Sequence, residues 1–325
     1  MLSRRILPSL FCLAALIAEQ PEAILERVRQ APLPPDQVSS IASSLAAKDY
    51  ARIENLIKTA ALKNAAHAGD LYALLGAIDF VGGRMEPAAQ AFRQSDSLGA
   101  LKERDRFTLA MSLANLGDTE AARTELVTLN RLRPEQPLYL YWLARLDYYQ
   151  RRYDDAITKL RRVLELDPKS SRAEDNLGLA LDMSGHPEDA QAEFAKAVAL
   201  NRNLPQPSPW PPHNLGYLLL RLEKLDDSEK ALRESLRYDH GLAQSHYYLA
   251  RVLEKQGRDA PAIEEYRTAI SLDPSPAEPY YSVGLLYRRL NRTREADAAF
   301  AEYKKHKEDP AGTKVIVPAA PVRAR

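Results

Sequence analysis

The chain has 325 residues, 45% of them hydrophobic, which is enough for a packed core and long enough for one large domain or two ordinary ones. Its 45 Lys and Arg stand against 44 Asp and Glu, a formal net charge of +1, and without a basic excess the bulk electrostatics point away from DNA or RNA as a partner. A single cysteine, Cys12, excludes a disulfide framework or a cysteine-based zinc site within one chain.

Taken in chain order, the first segment reads as a targeting signal. Arg4 and Arg5 supply a positive start, and Ile6 to Ala18 is apolar apart from Ser9 and interrupted by Pro8. That stretch is too short for a transmembrane helix but suits the core of a signal peptide. Ala18 offers a small residue for cleavage, although Leu16 is larger than such sites prefer. We therefore expect residues 1–20 to be a signal peptide and the mature chain to be extracytoplasmic, periplasmic or secreted, with no stable membrane span once the signal is removed. Three readings compete with this one. The segment could be the hydrophobic N-terminus of a cytoplasmic protein. Cys12 could carry a lipid, although Phe11 before it is bulky. Ser3-Arg4-Arg5 partly matches a twin-arginine signal, although Pro8 breaks that pattern. With the signal cut, no cysteine remains, which is compatible with an oxidising compartment.

Beyond this segment Ala, Leu, Arg and Glu dominate and alternating β-branched runs are nearly absent, so the chain is expected to be all-α. Two series of residues recur along it. Ala88/Phe92, Ala122/Leu126, Ala156/Leu160, Ala190/Phe194, Ser228/Leu232, Ala262/Tyr266 and Ala296/Phe300 follow one another at steps of 34, 34, 34, 38, 34 and 34 residues. Upstream of each lies Leu75-Gly76, Leu109-Ala110, Leu143-Ala144, Leu177-Gly178, Leu215-Gly216, Leu249-Ala250 and Val283-Gly284, stepping identically. The two series were defined by different residue types, so their agreement establishes the period. The 38-residue step falls on Leu204 to His213, LPQPSPWPPH, whose five prolines read as a longer loop between hairpins.

Each period reads as two helices. In Pro137 to Ser170, Leu140, Leu143, Ala144 and Tyr148 recur at helical spacing, Arg151-Arg152 makes a turn, and Tyr153, Ala156, Ile157, Leu160, Val163 and Leu164 recur again. Asp167-Pro168 ends the unit, and Pro134 and Pro274 hold the same place, because proline lacks an N–H and disfavours helix in the residue before it. Gly or Ala in the first helix and Ala in the second let the backbones approach, and stacking of neighbours supplies the core.

The pattern Leu-Gly/Ala, glycine at the turn (Gly117, Gly185, Gly257), then Ala, Phe/Tyr/Leu and Pro resembles the tetratricopeptide repeat family. The best matches are AEDNLGLALDMSGHPEDAQAEFAKAVAL and AQSHYYLARVLEKQGRDAPAIEEYRTAISLDP. Seven units are expected over residues 69–309 (69–102, 103–136, 137–170, 171–208 with its loop, 209–242, 243–276 and 277–309). A degenerate eighth spans 35–68, with a turn at Asp49-Tyr50 and Ile53 and Ile57 as its packing pair. Pro87, Pro187 and Pro261 fall in first turns of second helices, where proline is tolerated. Residues 310–325 lack helical periodicity and are expected to be a disordered tail.

The resemblance implies a right-handed superhelical solenoid of antiparallel helix hairpins whose concave face is lined by the first helix of each unit. Helical geometry puts Tyr141, Arg145, Tyr148, Tyr149, Tyr217, Tyr247 and Arg251 on that face, with Arg288 further along. Tyr and Arg are enriched at binding hot spots. Asn176 and Asn214 precede the repeat Leu in successive units, and the resemblance implies that such an amide can pair with the backbone of a bound peptide. The competing reading makes these Tyr and Asn residues part of the general repeat pattern and of the core between repeats. None of the concave positions is Lys, which speaks against the basic clamp for a C-terminal carboxylate found in chaperone-binding relatives. Trp210, between Pro209 and Pro211, either stands out on a stiff loop to touch a partner or packs on the next hairpin.

No nucleophile elbow, phosphate-binding loop or dinucleotide fingerprint is present, and the six histidines form no metal-binding pair. We expect no catalytic residues, no cofactor and no metal. The expected function is a protein- or peptide-binding adaptor that uses the concave groove. The alternative is a structural subunit of a cell-envelope assembly.

Overall fold

The structure, a computed structural model, describes residues 21–308. The expected signal segment with Cys12 and the tail from Pro310 lie outside the described residues. Among the described residues every regular element is helical. The chain divides into two compact units between Arg152 and Tyr153.

The first unit holds α1 (Pro21–Gln30), α2 (Pro35–Ala46), α3 (Tyr50–Lys63), a 3-10 turn (Ala65–His67), α4 (Ala68–Val81), α5 (Met85–Ser97), α6 (Glu103–Leu116), α7 (Thr119–Leu132) and α8 (Pro137–Tyr149). From α2 onward each helix packs on the next, and α4 also touches α6. The second unit holds α9 (Tyr153–Leu166), α10 (Ser171–Met183), α11 (Pro187–Asn201), α12 (Trp210–Arg221), α13 (Leu225–Tyr238), α14 (Ala243–Lys255), α15 (Asp259–Leu272), α16 (Glu278–Arg289) and α17 (Thr293–Glu308). Here too consecutive helices pack, and the first helices α10, α12 and α14 touch their neighbours in turn.

The periodic residues are the core. Ala88, Ala122, Ala156, Ala190, Ser228 and Ala262 are all 0% exposed. The glycines of the first helices face the large residues of the second. A Cβ at Gly76 would lie 2.8 Å from the Phe92 ring, one at Gly178 2.7 Å from Phe194 and one at Gly216 2.6 Å from Leu232. Close packing at this density leaves no room for it. Where Ser228 replaces the packing alanine, its buried hydroxyl donates to the Gly216 carbonyl at 2.7 Å, which satisfies the polar atom inside the hairpin.

The turn between the paired helices is equally regular. One residue just past each first helix has a left-handed backbone: Lys48, Gly83, Gly117, Arg151, Gly185, Glu223, Gly257 and Asn291. The following amide reaches back to the first helix, as Asp118 N does to Leu113 O at 3.0 Å, which closes the helix end. Asp118 then caps α7, accepting from Ala121 N at 3.2 Å.

The proline-rich insertion is tied down at its base. Asn201 is fully buried and its amide pairs with both backbone groups of Ser208, each at 2.8 Å. Arg202 makes a two-pronged ion pair with Glu234 at 2.7 and 2.6 Å. The loop expected to run to His213 is shorter than that, because α12 already begins at Trp210. Pro211 and Pro212 sit in its first turn, where their missing N–H groups have no helical partner to lose.

Candidate functional site

In residues 153–308 the first-helix face is built in layers. The deepest is polar. His213 is 1% exposed, with Nδ1 2.7 Å from the Ser245 hydroxyl, which in turn lies 2.9 Å from the Ser235 hydroxyl. Burial pushes the His213 imidazole down to about 3, so it is neutral at physiological pH. Asn214 beside it donates to both carboxylate oxygens of Asp175, at 2.9 and 3.1 Å. These groups fasten α12 to α10 and α14.

Above this layer lies a run of rings. Trp210 stands edge-on to His213 at 5.4 Å, His213 faces Tyr248 at 5.6 Å, and Tyr248 contacts Tyr217 at 4.6 Å and Tyr247 at 5.2 Å. Tyr247 continues to Tyr266 at 5.9 Å, whose hydroxyl donates to Glu254 at 2.8 Å. Burial pushes the Tyr248 and Tyr266 phenols up, so both stay protonated. Arginines close the outside. Arg251 lies 5.9 Å from the Tyr247 ring centre and Arg221 5.6 Å from that of Tyr217. Arg288 lies 5.4 Å from that of Phe300, and Tyr281, 44% exposed, packs on Phe300 and Tyr303.

Six arginines of this unit form two contrasting groups. Arg202, Arg221, Arg258 and Arg289 are held by Glu234, Asp182, Glu229 and Asp259 respectively. Arg251 and Arg288 make no ion pair with any described residue and rest only on aromatic groups. A guanidinium placed over a ring is oriented, yet it keeps donors for an incoming acceptor.

The expected contact residues sort by depth. Tyr217 and Arg251 are half-exposed and Arg288 is exposed on this unit. Tyr247 is 8% exposed and Asn214 1%, so both are packing residues in this structure, the amide of Asn214 turned to Asp175 rather than outward. Asn176 is half-buried, with its amide donating to Arg172 O of its own helix at 2.9 Å. Trp210, expected on a loop, is instead the first residue of α12 and half-buried against His213, because the two prolines after it start a helix rather than prolong the loop.

The remaining expected residues lie in the first unit. Tyr141 is 5% and Arg145 3% exposed. Tyr141 stands edge-on to Trp142 at 5.9 Å, and the Arg145 guanidinium lies 5.2 Å from the Trp142 ring and 5.4 Å from that of Tyr149, whose hydroxyl it contacts. Tyr148 and Tyr149 are half-buried and meet edge to face. Asp147 next to them, with its side chain 1% exposed, takes Arg152 at 2.7 Å and Arg123 at 2.9 Å. This cluster is therefore mostly interior.

Two features stand outside the expected set of site residues and elements. Tyr281 falls in the concave-face register with Tyr247 but was not chosen as a contact residue, and it is more exposed than any residue named except Arg288. Helix α1 was not assigned, although PEAILERVRQ shows proline at the start and Ile24 and Val28 four apart. Among the described residues, no group of His, Cys, Asp and Glu could hold a metal, and no helix is long and apolar enough to cross a membrane.

Family comparison agrees with this architecture. The model described as tetratricopeptide repeat matches residues 107–171, 143–206 and 213–279, together just over half of the chain. The chain belongs to the tetratricopeptide repeat family, whose helix hairpins act as scaffolds that bind protein or peptide partners. Among solved structures, the anaphase-promoting-complex assembly Cut9–Hcn1 is similar at 17% identity and a TM-score of 0.59 over 85% of this chain and 55% of that one. PilW, a type IV pilus biogenesis factor, is similar at 20% identity and a TM-score of 0.58, covering 66% of this chain and 98% of its own. MamA shares 25% identity at a TM-score of 0.47, over 52% of this chain and 96% of its own. A comparison with curated protein sequences gives no significant match.

Proposed function

We propose that the protein is a non-catalytic, extracytoplasmic adaptor that holds a protein or peptide partner on the first-helix face of residues 153–308, around Tyr217, Arg251, Tyr281 and Arg288. The observation that carries this reading is the division among the arginines. Arg251 and Arg288 are oriented over rings and pair with no carboxylate among the described residues, while Arg221 and Arg289 are neutralised within the chain. The exposed Tyr281 and half-exposed Tyr217 on the same face as these unneutralised guanidiniums suit a partner that brings carboxylates and apolar surface together. The extracytoplasmic location is supported by the positive start and apolar run of residues 1–20.

The test is a comparison of partner capture by wild type and by a Tyr217→Ala, Arg251→Ala, Arg288→Ala variant of equal helicity. The variant is expected to lose the partners that wild type holds. Retention of every partner overturns the assignment of the face, and a permanent oligomer on light scattering favours a structural subunit instead. Location is checked separately by fusing the full chain to a phosphatase that is active only outside the cytoplasm. An inactive fusion rules out export.

A further inference from the structure

Helix α1 stands outside the hairpin pattern, yet it is firmly placed. Ile24 and Val28, four residues apart, are 2% and 0% exposed. Between them Arg27 donates to both carboxylate oxygens of Asp105 on α6, at 2.9 and 3.2 Å. The opposite side is solvated: Glu22, Glu26, Arg29 and Gln30 are exposed, and Arg29 and Gln30 contact only Glu26. The helix packs against α2 and α4.

The receiving surface is made for a helix. At the register positions that hold His213 and Tyr217 in α12, and Tyr247 and Arg251 in α14, α4 carries Ala73 and Ala77, which are 2% and 5% exposed. Small residues there permit close backbone approach. Asp105, 4% exposed, is a carboxylate that must keep a cation, because burying it unpaired is strongly unfavourable. The site therefore reads two aliphatic side chains one turn apart and an arginine between them.

We propose that α1 is a built-in ligand of a helix-docking site on α2, α4 and α6, and that an amphipathic helix of a partner protein, with two aliphatic residues four apart and an arginine immediately before the second, exchanges with it. Exchange is favoured by the construction of α1. Its described part, Pro21–Gln30, has ten residues, shorter than a helix that holds by itself in water. It buries two aliphatic side chains, and the short non-helical segment Ala31-Pro32-Leu33-Pro34 separates it from α2. The site shares no residue with the Tyr217–Arg288 face, so either assignment can fail without the other.

The probe is a labelled peptide of residues 21–30, held helical by a cross-link between its exposed positions 22 and 26. It is titrated into the full chain by fluorescence anisotropy. An Ile24→Asp, Val28→Asp variant, whose own α1 cannot seat, is expected to bind the peptide at least about tenfold tighter than wild type, since the intramolecular competitor is gone. Asp105→Asn in that background, or Arg27→Ala in the peptide, is expected to remove about tenfold or more of that affinity. Equal binding by wild type and variant, no binding by a variant that keeps its helicity, or indifference to Asp105→Asn overturns the proposal. Hydrogen exchange on wild type tests it without any substitution. The amides of α1 are expected to exchange about a hundredfold or more faster than those of α4. If α1 opens only together with α4, it is a fixed part of the core and the proposal fails. A doubled mass on light scattering, from two copies trading α1, overturns it as well.

Discussion

In residues 21–152 the first helix α4 meets another helix, α1. Ile24 and Val28 are buried, Arg27 is bonded to Asp105, and the deep carboxylates Asp79 and Asp147 are matched by Arg84 and by Arg123 with Arg152. In residues 153–308 the same face carries tyrosines and arginines above a buried polar layer: His213 with Ser245 and Ser235, and Asn214 on Asp175. One hairpin design thus serves two purposes. Between α4 and the helices α12 and α14, what differs is the residue at two register positions. Ala73 and Ala77 in α4 admit a neighbouring helix, whereas His213 and Tyr217 in α12 and Tyr247 and Arg251 in α14 fill that space with their own side chains. The repeat itself sets only the distance between helices.

The comparison implies that the hairpin lock is common to both units while the face chemistry is not. Phe92→Ala in the first unit and Phe194→Ala in the second are each expected to cost about 3–5 kcal/mol in denaturant unfolding, because both rings are fully buried on a facing glycine. A difference of several kcal/mol between them would show that the lock is not equivalent.

The buried titratable groups sharpen the contrast, because they act with opposite sign. An unfolded His213 takes a proton near 6.5, whereas the buried ring resists it down to about 3. Its stabilising effect is therefore present above pH 6.5 and lost as pH falls through that value toward 3. Between pH 7 and pH 5 wild type is expected to lose about 2 kcal/mol more than a His213→Gln variant. A parallel pH profile for the two would remove His213 as the cause. In the first unit burial raises Asp79 to about 6 against an ordinary 3.8, despite the attraction of Arg84. That carboxyl favours the fold while protonated, and the contribution is lost as pH rises from 3.8 through 6. Asp79→Asn should accordingly gain on wild type over that interval, and equal profiles would sink the argument.

The smallest effect tests what the units share. Arg151 and Glu223 hold left-handed turns, with φ of 61 and 58, where other hairpins use glycine. Arg151→Gly and Glu223→Gly are each expected to raise stability by up to about 1 kcal/mol, since only glycine adopts that conformation without steric cost. Thermal unfolding checks it. A loss would mean that the side chains hold the turn, as the ion pair of Glu223 with Lys255 could.

The sequence by itself determined the helical class, the period and the packing pairs. These are contacts between residues about half a repeat apart, such as Gly76 with Phe92, so spacing and residue size encode them directly. Much of the exposed face was legible for the same reason, since Tyr217, Arg251 and Arg288 follow from helical register. Depth was not legible. A register position says which way a side chain points, and only the packing of neighbouring helices decides whether water still reaches it. That is why Tyr141, Arg145, Asn214 and Tyr247 lie inside while Tyr281 lies outside. The proline run misled for a local reason: prolines that interrupt a helix elsewhere open one at Trp210. Only the tertiary structure could bring Arg27 to Asp105 across 78 residues, because nothing in a 34-residue period specifies a partner outside the repeat.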